Sequence, residues 1–438
     1  MRLSTFLVAA LVVLAACPAA VAHAALPLSV VQDDAQLLRS GPAARERTLD
    51  DAASLGVDVV RILVVWRDVS RRPAALDELD AAVTGARARG LRVLLNPSGP
   101  APRSASTCRP RRDVCAPSPR AFGAWVAQLG RRYPEVRDWS VWNEPNNPNW
   151  LQPQRSTDGR PSSPALYRRL VVAAAAGLRR SGHAGDLILA GETAPMPAAR
   201  SRPPARRPVA AGSFLTALLA GRRSFGATGI AQHPYATDGR SPFGEREAAQ
   251  FTMAGVPRLQ DLVRDAGRRG VLPSSAPVWL TELGFQTSPP DALFGISLTR
   301  QANWLARVEV RAQRQQVAAL GQYLVVDEGP LQRFQSGLRF ADGRPKPALD
   351  AYRLPLTAER RGSRVLLRGR VRPAKRAGVP IGIEQRSWPR AIPKPLLRLT
   401  TADGGAVRAT IFRRPSQVRL TLTAPDGHVD TGAWTPLP

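Results

Sequence analysis

The chain has 438 residues, 44% hydrophobic and 22% charged, a composition that excludes a disordered or fibrous protein and accommodates one large domain plus a smaller one. Its net charge of +28 raises nucleic acid as a partner, yet every basic residue except Lys346, Lys375 and Lys394 is arginine. These arginines are spread over predicted helix faces and loops without a nucleic-acid-binding motif, so a solvated basic surface is expected, with adsorption to acidic polymers or envelopes as a secondary consequence.

The chain begins with Met1-Arg2, an apolar stretch from Phe6 to Ala16 too short to span a membrane, and an A-x-A site at Ala22-His23-Ala24. This reads as a secretory signal over residues 1–24, giving an extracellular protein with no membrane span. Leu14-Ala15-Ala16-Cys17 also has the form of a bacterial lipobox, which would leave Cys17 lipid-anchored at the envelope. Secretion is favoured because the A-x-A site follows in the usual place. Beyond the signal only Cys108 and Cys115 remain, in "CRPRRDVC", and in an exported chain such a close pair suggests a local disulfide. With four histidines in all and no further ligands beside the cysteines, no structural zinc centre is expected, and no cofactor is called for.

From Leu28 to about Tyr352 one unit recurs: a short run rich in Val, Ile and Leu, a loop, then an Ala/Arg/Leu segment of helical period. The apolar runs are "LSVVQ" from Leu28, "DVVRILVVW" from Asp58, "LRVLLNPSG" from Leu91, "DWSVWNEPN" from Asp138, "LILAGE" from Leu187, "GIAQHPYA" from Gly229, "PVWLTELGF" from Pro277 and "GQYLVVDEG" from Gly321. Helices are predicted between them, among others over Ala44–Leu55, Leu76–Arg89, Ser118–Arg132, Pro164–Arg180 and Thr299–Gln315. Strands apolar on both faces and alternating with helices indicate a parallel sheet under a helical layer. Eight such units fit an α/β fold of the closed (β/α)8 TIM-barrel type better than an open doubly wound sheet. No Gly-x-Gly-x-x-Gly follows the first strand, which weakens a dinucleotide-binding alternative. The Pro- and Arg-dense stretch Pro195–Gly212 is predicted as a long loop after strand five, on the face where barrels keep their sites.

Past "ADGRPKPALDAYRLPL" the texture changes to short alternating runs such as "RVLLRGRV" and "VRLTLTAP", separated by "ADGG" and "APDG" turns. A small β-sandwich is predicted, placing the barrel over 25–356 and the accessory domain over 357–438. Such a module can bind glycan, but it shows no cluster of Trp or Tyr to do so, and the reading as a packing appendage is favoured. A monomer is expected.

The chemistry is read from the strand ends, where a (β/α)8 barrel carries its catalytic groups. Strand two carries Arg61, strand four Asn143 and Glu144, strand six His233 and Tyr235, and strand seven Glu282. Two carboxylates at the ends of buried strands, flanked by Arg, Asn, His and Tyr, are the equipment of glycosidic bond cleavage. Arg61 has a second reading, as partner of Asp58 or Asp68, and His233 another as a structural brace. Asp33 and Asp34, at the end of strand one, read as loop caps.

"WNEP" and "LTELGF" resemble the retaining (β/α)8 glycosidases of the clan that holds cellulases, β-mannanases and β-xylosidases, closest to glycoside hydrolase families 5 and 39. The resemblance spans about Leu28 to Tyr352, with four motifs in the clan's order. It implies an oligo- or polysaccharide substrate, Glu144 as acid/base, Glu282 as nucleophile, and Asn143 holding a sugar 2-hydroxyl. Arg61 would sit near the nucleophile, and His233 and Tyr235 match the His-x-Tyr of strand six. On this reading Arg61 and Tyr235 favour an ionised Glu282, while Glu144, beside Trp142, has a raised pKa and stays protonated. The chain departs from the clan in offering Val326, Asp327 and Glu328 where strand eight usually ends in a Trp platform. It also has "NPSG" and "VWNE" where family 5 members often carry a His. Trp66, Trp150 and Phe285 are available for stacking on sugars, and each fits core or loop packing equally well. A barrel that binds glycan at the envelope with little turnover is the alternative, and the presence of both carboxylates favours the enzyme.

Overall fold

The computed structural model describes residues 26–72, 74–108, 114–196, 202–236, 241–244, 251–329, 334–412, 416–424 and 426–438. Residues 1–24, read as a secretory signal, and with them Cys17, lie outside the described residues. Eight parallel strands close into a barrel in sequence order: β1 (Leu28–Gln32), β2 (Val59–Val65), β3 (Arg92–Ser98), β4 (Asp138–Ser140), β5 (Leu187–Thr193), β6 (Gly229–Gln232), β7 (Val278–Leu280) and β8 (Ala319–Tyr323). Closure is made by β1 against β8, with Leu28 to Gln32 aligned on Ala319 to Tyr323. The expected (β/α)8 architecture is the one observed.

The periodicity of the apolar runs follows from two cores. Inside the barrel Val30, Val59, Leu94, Leu189, Ala231, Trp279 and Ala319 pack together. Outside, alternate strand residues such as Val60, Ile62, Leu95 and Trp139 meet the helices through Leu49, Phe122, Tyr167, Leu170 and Phe214. Both strand faces are therefore dry, and each fully buried large side chain contributes about 1.5–3 kcal/mol.

Two strands stop short of the carboxylates that their apolar runs lead into. β4 ends at Ser140, so Val141 to Glu144 lie beyond it, and β7 ends at Leu280, before Thr281 and Glu282. The residues past β4 keep some bonds to its neighbours: Val141 donates to the Leu189 carbonyl and Trp142 to that of Pro97. Positive φ at Trp142 (65°) and Glu144 (42°) takes this segment out of the extended conformation. The indole of Trp142 fills the space above Gly99, where a Cβ would stand 2.2 Å from its ring.

After the Pro347–Arg353 helix come eight antiparallel strands: β9 (Leu356–Arg361), β10 (Arg364–Arg370), β11 (Pro380–Arg386), β12 (Lys394–Thr400), β13 (Ala406–Ile411), β14 (Gln417–Thr423), β15 (Val429–Thr431) and β16 (Thr435–Pro436). They form a β13-β10-β9 sheet and a β12-β11-β14-β15 sheet to which β16 is added. Val365, Leu367, Ile381, Ile383, Val418 and Leu420 fill the space between the sheets, as expected of a sandwich. Cys108 and Cys115 form the expected disulfide, with Cα atoms 6.0 Å apart.

The sandwich is fastened to the barrel by a buried ion cluster. Glu309, on the Leu298–Arg314 helix, accepts from Arg372 Nη2 at 2.6 Å and from Arg370 Nη1 at 3.3 Å. Removing one member of a buried ionic set leaves the others uncompensated. Glu309→Ala is expected to destabilise the protein by about 3–5 kcal/mol, measured by denaturant unfolding, while folded molecules keep their turnover.

Candidate active site

Arg61 is fully buried, and its side chain is the hub of the barrel mouth. Its Nη1 donates to Glu282 Oε1 at 2.6 Å and also to Gln32 Oε1. Its Nη2 reaches Asn143 Oδ1 at 3.0 Å, Asn96 Oδ1 at 3.2 Å and Glu192 Oε2 at 3.2 Å. The two alternative partners are engaged elsewhere: Asp58 with Lys375 and Asp68 with Arg67. Arg61 therefore belongs to the site.

Glu144 and Glu282 face each other across this hub. One oxygen of each lies within 4.8 Å of the other and of a His233 ring nitrogen. Glu282 is nearly buried and also accepts from Tyr235 Oη at 3.1 Å. Glu144 is more open to solvent, and its Oε2 accepts from Asn147 Nδ2 at 2.9 Å. His233 Nδ1 stands 3.4 Å from Glu144 Oε1 and 3.5 Å from Glu282 Oε2. The sequence thus named five residues that the fold brings together: Arg61, Asn143, Glu144, His233 and Glu282, with Tyr235 as a sixth.

A third carboxylate was not foreseen. Glu192 is fully buried at the end of β5, where the register with β6 shifts between Gly191 and Thr193. Gly191 (φ 114°) and Glu192 (φ 47°) form this irregularity, the kind that re-aims side chains beside active sites. Glu192 Oε2 accepts from His233 Nε2 at 2.5 Å and from Thr281 Oγ1 at 2.6 Å, and its Oε1 accepts from Ser140 Oγ. Burial opposes its charge, but Arg61, His233 and Ser140 outweigh that and hold its pKa at about 2. Burial likewise opposes a charge on His233, yet Glu282, Glu144 and Glu192 push the imidazole up to about 10. The ring is an imidazolium that donates on both sides.

For Glu282 the balance runs the other way. Burial raises its carboxyl pKa, and the nearby charges of His233 and Arg61 recover only part of the shift. Both expected contacts exist and Arg61 favours the ionised form, but desolvation exceeds its effect and the carboxyl titrates above its ordinary value. The expected setting of Glu144 also changes. Trp142 packs edge-on against Phe122, 5.1 Å between centroids, and Glu144's hydrogen-bond neighbours are Asn147 and His233 instead.

Asn96, noted as a departure in "NPSG", brackets the segment beyond β4. Its Nδ2 donates to the carbonyls of Ser140 (2.8 Å) and Trp142 (2.9 Å) while its Oδ1 takes Arg61. The aromatic at the end of β8 is Tyr323, edge-on to Tyr235 at 6.4 Å, and not a residue of Val326–Glu328. Asp327 is an internal counterion of Lys346 at 2.7 Å. Asp33 caps a helix and accepts from the backbone N–H groups of Val325 and Val326, as its reading as a loop cap requires.

The stacking candidates fare differently. Trp66 lies in the core, stacked on Trp125 at 5.3 Å. Phe285 is buried against Trp304 at 5.1 Å, where it lines a cavity of about 170 Å³ that Tyr235 also lines. Trp150 is partly exposed in the loop after Glu144, and its backbone N–H donates to the Asn147 carbonyl; no aromatic ring contact ties it to other described residues.

Glu144, His233 and Glu282 have the composition of a metal-ligand set. A protonated imidazole is no ligand, and an ion here would have to displace a proton held by three carboxylates and share Glu282 with Arg61. The donor set fits a proton-handling site better than a metal centre.

No family model matches the chain, and no curated protein matches it. Among solved structures it is similar to a monomeric beta-xylosidase from Caulobacter crescentus CB15, at 15% identity and TM-score 0.50, over 88% of this chain and 94% of that one. It is also similar to a glucosidase from Croceicoccus marinus, at 12% identity and TM-score 0.52, over 85% of this chain and 90% of that one. At such identity the likeness establishes the shared barrel fold.

Proposed function

We propose that this protein is an exported glycoside hydrolase that cleaves a β-linked glycan with retention of configuration. The observation that carries the reading is the pair Glu144 and Glu282, with carboxylate oxygens within 4.8 Å across a barrel mouth. Retaining enzymes hold their carboxyl groups about 5–5.5 Å apart, whereas inverting ones need more than about 6.5 Å to admit a water. Glu282 attacks the anomeric carbon as the C–O bond to the leaving group breaks, and Glu144 delivers its proton to that oxygen. Water, deprotonated by Glu144, then hydrolyses the glycosyl-enzyme. The more exposed position of Glu144 suits the group that must meet both leaving group and water. Arg61 occupies Asn143 Oδ1 and so leaves the amide NH₂ as donor to a sugar hydroxyl.

The test is hydrolysis of a panel of aryl β-glycosides and polysaccharides, with the anomer of the first product read by NMR. Turnover with retention supports the reading. No turnover across the panel would leave the barrel a glycan-binding protein, and an inverted first product would refute the double displacement.

The pH dependence has a defined sign. The nucleophile works ionised, and burial raises its pKa above the ordinary 4.5, so less of it is ionised at any given acidic pH. The acidic limb of kcat/KM is therefore expected above pH 4.5. A limb at or below that value would show that Arg61 and His233 overcome burial.

A further inference from the structure

A cleft of about 720 Å³ lies away from the two barrel-mouth carboxylates. It runs between the Leu298–Arg314 helix and β9 of the sandwich. Arg300, Arg307, Arg311 and Arg314 line it, and their spacing of 7, 4 and 3 residues puts them on one helix face. The row is about 21 Å long at 1.5 Å per residue. The one acid in the lining, Glu359, is taken by Arg314 and Arg361. Among the described residues Arg300, Arg307 and Arg311 have no acidic partner.

A second arginine-lined cleft is treated differently. There Arg87 pairs with Glu135 at 3.5 Å, Arg92 with Asp138 at 2.7 Å, and Arg137 with Asp186 at 3.2 Å. In the large cleft, by contrast, Arg307 lies over the Phe243 ring at 4.2 Å, and burial together with the charge of Arg311 pulls its pKa down. Arg311 Nε is buried without a hydrogen-bond partner. Cations crowded in a concavity without counterions are relieved by an anionic ligand. The remaining lining chooses among anions. Thr299, Asn303 and Thr357 offer hydroxyl and amide groups, suited to a polyol, between planar guanidinium forks suited to carboxylates.

The position also bears on the catalytic site. Trp304 lines both this cleft and the small cavity shared by Phe285 and Tyr235, and Tyr235 donates to Glu282. We propose that the cleft holds an acidic polysaccharide, its uronate carboxylates taken by Arg300, Arg307 and Arg311, and that the glycan processed at the barrel mouth is of this anionic class. The second half rests on the glycosidase reading; the binding does not.

The experiment is calorimetric titration of the full mature protein with polygalacturonate oligomers, a neutral cello-oligosaccharide and polyphosphate of matched length, at about 0.15 M salt where exposed charges are screened. The cleft variant is Arg300→Gln/Arg307→Gln/Arg311→Gln. The control removes the same charge from three exposed arginines of the Ser163–Arg180 helix, as Arg169→Gln/Arg179→Gln/Arg180→Gln. Uronate is expected to bind, with Kd raised about tenfold or more in the cleft variant and less than about twofold in the control. Equal weakening in both variants would reduce the effect to diffuse charge, and polyphosphate binding as tightly as uronate would overturn the glycan assignment. Hydrolysis of neutral glycans without uronate binding sinks this proposal and spares the glycosidase. Uronate binding without hydrolysis of any glycan does the reverse.

Discussion

Glu282→Gly is expected to lower turnover of an aryl β-glycoside by about 10,000-fold or more, the scale on which loss of a nucleophile acts in other enzymes. Azide should then restore a measurable part of it. The argument rests on position. Glu282 is held by Arg61 and Tyr235, and the glycine leaves a space where a small anion can sit beside Arg61. Azide entering there attacks the anomeric carbon from the nucleophile's side, and Glu144 still protonates the leaving oxygen. The product is a glycosyl azide of inverted configuration, because one displacement replaces two. Glu144→Ala gives the complementary result. Activated leaving groups depart without an acid, the glycosyl-enzyme forms on Glu282, and azide yields a product of retained configuration. Arg61 keeps Glu192 as a counterion in the glycine variant, so the fold should survive, which a thermal melt checks. A folded Glu282→Gly protein that hydrolyses as well as wild type, or Glu144 variants giving inverted azide, would overturn the assigned roles.

How much of this was legible in the sequence depended on whether the cause was local. The eight strands were legible because parallel strands covered on both faces read as unbroken apolar runs, and "LSVVQ" matched β1 residue for residue. The ends of β4 and β7 were not. Val141 and Trp142 look like further strand, but the chain turns after Ser140 under bonds from β3 and β5, elements remote in sequence. Glu144 and Glu282 could be found because each ends a buried run and the two complete a known chemical pair. Glu192 ends "LILAGE" in the same way and was given no role. Its signals were the adjacent Gly191 and its place at a strand terminus; its partners come from elsewhere in the chain, Arg61 from within β2 and His233 and Thr281 from just beyond β6 and β7. The aromatics stayed open between sugar and core for a related reason. Whether Trp66 or Phe285 faces sugar or core is decided by Trp125 and Trp304, which no local pattern reveals.

Glu192→Gln is expected to reduce kcat by about 100-fold with a smaller change in KM, although Glu192 touches neither proposed catalytic carboxylate. Its work is done through His233. The imidazolium spans Glu144 and Glu282 with one nitrogen and rests on Glu192 with the other, so β5 fixes its orientation and, together with Glu282 and Glu144, holds its charge. An amide in place of the carboxylate can still accept from Nε2, but it removes one of the three negative charges that retain the proton. The imidazole pKa should then fall from about 10 toward the ordinary value near 6.5. The sign follows. In the wild type His233 stays charged through neutral pH, whereas in the variant it is neutral above its lowered pKa, so activity declines earlier on the alkaline side. Nitrogen chemical shifts of labelled histidine report this directly and need no substrate. The variant also leaves Arg61 with one fewer counterion, for which about 3–5 kcal/mol of destabilisation is expected. A merely structural Glu192 would lower stability and leave the His233 titration and the alkaline limb in place. That outcome would assign the buried carboxylate to folding and leave Glu144 and Glu282 to act without a fixed cation between them.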